Sequence, residues 1–250
     1  MEYLSTVIIS YNEEAKITRC IQSAQQVSDE VILLDSHSTD KTVSIAQELG
    51  AKVVSQSFKG FILQRQAAIE LANYDLVLAL DADEYLGPIL VAEILKIKSN
   101  SPSDTYLLNR LSGINGRWIR HGSWHPDHII RLFYKSKVTN GGEAPHDKII
   151  PLQSASVSKL KGLLYHDAHD SIEDRILAIT QHSLVAAETK YAKGIRSNVP
   201  KKLIKTIWKF VVEYFFKLGF LDGYYGWVAA KTTAQYIYMR EGHLCRMGKG

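Results

Sequence analysis

Two aspartates separated by one residue, Asp81-Ala82-Asp83, follow directly on the apolar run from Asp75 to Leu80. If strand conformation continues through them, side chains alternate and both carboxylates project to one side while Ala82 points away. Paired hard oxygen donors handle protons or hold Mg²⁺ or Mn²⁺, and such an ion neutralises charge that builds on a departing diphosphate. The same residues also read as a solvated acidic turn, because the pattern is short and recurs on surface loops. Position in the chain separates the two readings. Polar clusters also close the first apolar run, in Ser10-Tyr11-Asn12-Glu13-Glu14, and the second, in Asp35-Ser36-His37-Ser38-Thr39-Asp40.

The elements that must position these clusters alternate. Strand patterns at Ser5 to Ser10, Glu30 to Asp35, Lys52 to Ser55 and Asp75 to Leu80 are separated by helical patterns at Ala15 to Gln25, Asp40 to Leu49 and Phe61 to Ala72. This is the βαβα order of a parallel sheet, whose carboxyl edge gathers ligand-binding loops. Thr39 reads as a helix N-cap, Gly50 as the left-handed residue that closes the same helix, and Pro88 as the start of a helix to about Ser99. Asn115-Gly116 between Leu107 to Leu111 and Arg117 to Arg120 signals a hairpin. Helical patterns then cover Ile172 to Ala192, Lys201 to Leu218 and Tyr224 to Arg240. The expected division is a catalytic part over 1–170, with donor-binding residues 1–100 and acceptor-side residues 101–170, followed by a helical region over 171–250.

Composition bounds the possibilities. With 250 residues, 46% of them hydrophobic and 22% charged, the chain can bury a full core, and none of it reads as low complexity. Cys20 and Cys245 lie far apart without redox or zinc spacing, and the N-terminus carries no secretion pattern, so a cytoplasmic setting is expected. No stretch reaches the roughly 18 unbroken apolar residues of a membrane span. The net charge of +4 gathers toward the C-terminal third. There Lys202, Lys205, Thr206, Lys209 and Glu213 fall on one narrow helical stripe and the remaining face is apolar. Such a helix suits the interface of an anionic membrane, or else packs on a core or a second copy. Nucleic-acid binding is disfavoured, since the lysines line an apolar helix instead of a groove-sized patch.

The three polar strand ends, together with Gly60-Phe61, Gln64-Arg65 and Ala67-Ala68 ahead of the acidic strand, resemble the family 2 glycosyltransferases of the GT-A fold. That resemblance implies a mostly parallel α/β sheet flanked by helices, with a helical C-terminal extension. It places Ser10, Tyr11 and Glu13 around the base and ribose of a nucleotide-sugar donor and Asp35 at the base edge. Arg65 falls toward the phosphates and Asp81 beside the ribose or sugar, Gln64 and Ala82 also belong to the donor pocket, and Asp83 is the principal ligand of the divalent cation, helped by Asp81 and His166. Taken singly, Tyr11 also reads as an interface aromatic, Asp35 as a helix-capping acid and Arg65 as a surface cation.

Gly122-Ser-Trp-His-Pro-Asp127, Arg131-Leu-Phe133 and Glu143-Ala-Pro-His-Asp147 resemble the bacterial subgroup that adds glucose or a similar sugar to lipopolysaccharide core. This narrower resemblance implies inverting transfer of a hexose from UDP-glucose or a related donor to a lipid-linked saccharide acceptor. Inversion calls for a carboxylate that takes the acceptor hydroxyl proton. Asp147 is the first candidate, with Glu143 kept beside it because the subgroup ends this segment in His-Glu; Asp147 also reads as a structural partner of Arg131. Six of the nine histidines fall between His121 and His169, but no cysteine or HExxH spacing accompanies them, so zinc is not expected. A nucleotidyltransferase would carry a glycine-rich loop where Tyr11-Asn12-Glu13 stands, and a dehalogenase-like phosphatase would not carry Tyr85 after its acidic pair. A non-catalytic carbohydrate- or membrane-docking module on the same fold, or a nucleotidyltransferase, is the alternative reading.

Overall fold

The computed structural model describes residues 2–100, 102–143 and 146–248, apart from the side chains of Glu143, His146 and Asp147. In chain order the elements begin β1 (Leu4–Ser10), α1 (Ile17–Gln25), β2 (Glu30–Asp35), α2 (Thr42–Glu48), β3 (Lys52–Ser55), α3 (Phe61–Glu70), β4 (Leu76–Asp81), β5 (Glu84–Leu86) and α4 (Pro88–Ser99). Then come β6 (Thr105–Ile114), β7 (Arg117–Trp118), β8 (Asp127–Tyr134), β9 (Val138–Glu143), β10 (His146–Pro151) and β11 (Val157–His169). Helices α5 (Ile172–Ala192), α6 (Val199–Val211) and α7 (Gly223–Met247) finish the chain. Two compact units result: Met1–Arg110 with His128–Gly142 and His146–His166, and Leu111–Asp127 with Glu143–Pro145 and Asp167–Gly250.

The main sheet runs in the order β3-β2-β1-β4-β8-β6-β11-β5, with β7 beside β6. Strands β3, β2, β1 and β4 are parallel, and β8 pairs with β4 antiparallel. Every residue of β1 is buried, as expected of a central parallel strand covered on both faces. One apolar cluster joins Ile17 and Ile21 of α1 and Leu90 and Ile94 of α4 to Leu4, Ile8, Leu33 and Leu78 of the sheet. The other joins Ala68 and Ile69 of α3 to the opposite residues Val7, Ile9, Ile32 and Val77. Strand order reverses between β1 and β4, so their carboxyl ends flank the crevice where an open sheet of this kind takes its ligand.

Local chemistry explains most boundaries. Gly50 has φ +80° and closes α2, and Asn115 and Gly116, at φ 52° and 68°, make the tight turn from β6 to β7. Thr39 is not the cap of α2. The helix starts at Thr42, where Asp40 Oδ1 accepts from the Thr42 amide at 3.0 Å and its hydroxyl at 2.6 Å, while the Thr39 amide donates to Asn12 Oδ1. An aspartate two residues before a helix can make this local bond as well as an N-cap threonine.

The second unit carries the C-terminal helices. Ser171 caps α5 by accepting from the Asp174 amide, and Asn198 caps α6 by accepting from the Lys201 amide. The expected single helix from Lys201 to Leu218 is α6 followed by a π-helical turn over Val212–Phe216, then a 3₁₀ turn over Gly219–Asp222 that leads into α7. α6 is inside-out. Its polar stripe is turned toward α7: Lys205 Nζ lies 3.0 Å from Glu241 and Lys202 Nζ 4.1 Å from the centre of the Tyr238 ring. Its apolar residues face outward, with Ile204 68%, Ile207 64% and Trp208 59% exposed. Among the described residues no helix is long and apolar enough to cross a membrane.

Candidate active site

The acidic cluster stands where the sheet order puts it, at the carboxyl end of β4 beside the end of β1, with Asp81 in register with Ile9. Strand conformation stops at Asp81, and Ala82 and Asp83 form a turn into β5. The alternation expected through Asp83 therefore does not extend that far. Instead the two carboxylates are assigned to different neighbours by the strands around them.

Asp81 is clamped by cations. Arg65 Nη2 donates to its Oδ1 at 2.7 Å, and Arg131 Nη2 to its Oδ2 at 2.5 Å. Arg65 is 1% exposed, so it is a core residue of α3 and not a surface cation. Glu84, fully buried, accepts from Arg131 at 3.1 Å and Arg110 at 3.2 Å, and its other oxygen receives the Asp81 amide at 3.1 Å. Three guanidinium groups thus face two carboxylates, which is how ionised groups survive burial. Burial alone would raise the Asp81 pKa; the charges of Arg131 and Arg65 outweigh it and hold that carboxyl well below the usual range. Burial, reinforced by Glu84, Asp83 and Asp81, pushes the thiol of Cys20 up, and this thiol donates to the Asp81 carbonyl at 3.5 Å.

Asp83 has a different partner. Antiparallel pairing of β5 with β11 sets Glu84 opposite His166, and this brings His166 Nε2 within 3.3 Å of Asp83 Oδ2. The other oxygen, Oδ1, is buried and has no hydrogen-bond partner among the described residues. An orphaned carboxylate oxygen next to an imidazole nitrogen fits a divalent cation, since each unpaired buried acceptor otherwise carries a full desolvation cost. Burial works against protonation of His166, yet the charge of Asp83 and its hydrogen bond raise the imidazole pKa above its ordinary value. Among the described residues no group of three His, Cys, Asp or Glu side chains converges on one point. Mg²⁺ and Mn²⁺ sites that also hold phosphates need only one or two protein carboxylates, and the Asp83 carboxylate is of that kind.

The remaining expected residues line the ends of β1 and β2. Ser10 Oγ donates to Asp35 Oδ1 at 3.0 Å, and the buried Asp35 also accepts from the Ser38 amide at 2.8 Å and the Ser38 hydroxyl at 2.5 Å. Asp35 thereby orders the loop after β2, in which His37 takes a positive φ of 62°. Tyr11 is 59% exposed at the end of β1. Glu13 receives no cap role but lies 3.8 Å from Lys16, and its amide donates to Thr42 Oγ1. Gln64 is buried in α3, donating to Ser36 Oγ at 3.1 Å and accepting from Gln56 at 3.2 Å. Ala82 is buried between the two acids. The structure thus gathers Arg65, Asp81, Ala82, Asp83 and His166 in the first unit, with Ser10, Asp35 and Gln64 joined through Ser36 and Ser38 at the β2 end. Glu143 ends β9 and Asp147 lies in β10, and their side chains fall outside the described part of the structure.

Three further charged residues, Glu84, Arg110 and Arg131, join the cluster beyond the expected site residues. Glu84 closes the acidic run that begins at Asp81 and Arg131 opens the Arg131-Leu-Phe133 segment, but neither pattern says which charges they meet; Arg131 meets Asp81 and Glu84, and the side chain of Asp147 lies outside the described residues. A lone arginine inside the apolar run Ile129-Ile130-Arg131-Leu132-Phe133 is the available signal, because a charge on a core strand requires an opposite charge nearby.

Comparison with known proteins agrees with this layout. Residues 5–161 match the model of the family described as glycosyl transferase family 2. A glycosyltransferase of Rickettsia typhi is 31% identical over 250 residues, covering 96% of this chain and 86% of the relative. LpsC of Rhizobium meliloti, named a lipopolysaccharide core biosynthesis glycosyltransferase, is 25% identical over 258 residues, covering 95% of this chain and 92% of its own. The crystal structure of S. aureus TarS superposes with a TM-score of 0.49 at 16% identity, covering 96% of this chain and 55% of that one. A family match over more than half of the chain, carried by an α/β sheet with its acidic cluster at the carboxyl edge, identifies this protein as a GT-A fold transferase enzyme belonging to glycosyl transferase family 2.

Proposed function

We propose that this enzyme transfers a hexose, glucose from UDP-glucose in the first instance, with inversion to a lipid-linked saccharide of the lipopolysaccharide-core type, using a divalent cation. The observation that carries this reading is the orphaned Asp83 Oδ1 beside His166, next to an Asp81 whose charge is already balanced. Asp83 would hold the cation, with His166 and Asp81 as the neighbouring candidates. The bound cation neutralises charge on the departing nucleoside diphosphate. Ser10, Tyr11, Glu13 and Asp35 line the base and ribose, Gln64 and Arg65 stand behind the phosphates, and Ala82 leaves room for the sugar. Asp147, or Glu143 in its place, accepts the proton of the attacking hydroxyl. The acceptor assignment is supported by similarity to LpsC, whose name records that role for that protein.

A lipid-linked acceptor fits peripheral attachment at the cytoplasmic face of an anionic membrane. Residues 193–250 hold eleven Lys and Arg against three Asp and Glu. Each acid is engaged internally: Glu213 by Lys209 and Ser123, Asp222 by His121, and Glu241 by Ser197, Lys205 and Arg240. Positive charge around an outward apolar face with Trp208, Phe215 and Phe216 is the composition of an interfacial helix. Calorimetric titration with a panel of nucleotide sugars, with Mn²⁺ or Mg²⁺ and with chelator, tests the donor reading. Selective, cation-dependent binding of a UDP-hexose is expected; binding of none by folded protein returns the non-catalytic module.

A further inference from the structure

The geometry points to a subsite, in the cavity beside the β6–β7 turn, for a saccharide that carries a phosphate or carboxylate group. It rests on the transferase reading above, since that reading is what makes a saccharide the expected ligand. The cavity, of about 500 Å³, is lined by Gly116, Arg117, Trp118, Arg120, Asp222 and Tyr225, all within the second unit.

Two cations enter it without acids of their own: neither the Arg117 nor the Arg120 guanidinium has a hydrogen-bond or ion-pair partner among the described residues. The one carboxylate on the wall does not cancel them. Asp222 Oδ2 accepts from the Arg120 amide at 2.9 Å and the His121 amide at 2.8 Å, and Oδ1 lies 3.0 Å from His121 Nδ1. Asp222 therefore fixes the backbone that carries Arg120 and leaves both guanidiniums to a ligand.

Two rings complete the lining, and both are held. The Trp118 ring lies against Gly113, where an added Cβ would come within 2.9 Å of its Cε3 atom, so only glycine leaves the indole this close to β6. Asn115 Nδ2 donates to the Tyr225 hydroxyl at 3.1 Å. The turn itself is fixed by the pairs Gly113 with Trp118 and Ile114 with Arg117. Aromatic rings take the apolar C–H faces of a sugar, and planar guanidiniums take a phosphate or carboxylate in a forked, charge-assisted contact. A neutral sugar would leave both cations unmatched.

The test uses the full chain labelled with ¹⁵N, in which Trp118→Phe assigns the Trp118 indole N–H resonance. Glucose 6-phosphate, glucuronic acid, glucose and uridine monophosphate are titrated separately. Saturable shifts of the Trp118 resonance are expected with both charged sugars, at least tenfold tighter than with glucose, and the preference is lost in the Arg117→Gln/Arg120→Gln double variant. Arg117→Lys/Arg120→Lys retains most of it. A preference in wild-type protein that weakens in high salt supports the same conclusion without any substitution. Equal shifts by glucose, no shift by either charged sugar, or a preference that survives the Gln variant in folded protein overturns the inference. A Trp118 response strongest to uridine monophosphate reassigns the cavity to nucleotide. Loss of nucleotide-sugar binding by wild-type protein would instead overturn the transferase reading itself.

Discussion

Asp83 and Asp81 stand two residues apart and do different work. Asp81 is committed to Arg65 and Arg131, whereas Asp83 has one buried oxygen without a hydrogen-bond partner among the described residues. Asp83→Asn is therefore expected to weaken cation-dependent donor binding on the order of 100-fold by calorimetry while changing the melting temperature much less than loss of the Asp81 clamp, because the amide oxygen can still accept from His166 and the contacts of Arg65 and Arg131 stay in place. Arg131→Met is expected to do the reverse. It leaves Asp81 and Glu84 short of a cation inside the fold, a loss of about 3–5 kcal/mol of stability that urea unfolding would measure. The acidic pair and its position were legible in the sequence, because a strand pattern runs straight into it. The clamp was not: which of several arginines meets Asp81 depends on β8 lying beside β4, a pairing between residues about fifty apart that no local pattern encodes.

At the scale of elements, the strands and helices of the first hundred residues were legible almost residue for residue, since each parallel strand has an apolar centre and turn or capping residues separate it from the next helix. β5 escaped because three residues are too few to show a period, and yet its pairing with β11 is what delivers His166 to Asp83. In the second unit the helices were legible as helices, but which way α6 faces was not. Its orientation is held by Glu241, where burial alone would raise the pKa but Ser197, Arg240 and Lys205 bring it down to about 2. A carboxylate whose pKa falls on folding, from an ordinary 4.5, stabilises the native state above the higher value and loses that contribution as pH drops toward the lower one. Thermal melts from pH 6 to 2 should show the wild-type protein losing about 3 kcal/mol more than Glu241→Gln across this window. Close approach near the start of α7 sets a second test. A Cβ on Gly226 would stand 1.9 Å from the Gly219 carbonyl oxygen, so Gly226→Ala is expected to lower the melting temperature by several degrees.

For the molecule as a whole, what matters is where apolar surface is left. Vesicles containing phosphatidylglycerol should carry wild-type protein upward in a flotation gradient, and phosphatidylcholine vesicles should carry much less. Ile204→Asp/Ile207→Asp should abolish flotation with little change in melting temperature, because both side chains are exposed. Equal flotation of the variant would remove the attachment surface. Composition foretold the basic C-terminal third and the amphipathic helix, but whether its apolar side met protein or solvent required the position of α7. The inside-out α6 also has a consequence at the bench. Copies of a protein that displays Ile204, Ile207, Trp208 and Phe216 to water shield them by meeting one another once they are concentrated. Specific activity in plain buffer should then fall as protein concentration rises and recover on adding mild detergent, so that turnover numbers for this enzyme carry meaning only with the amphiphile content of the assay stated beside them.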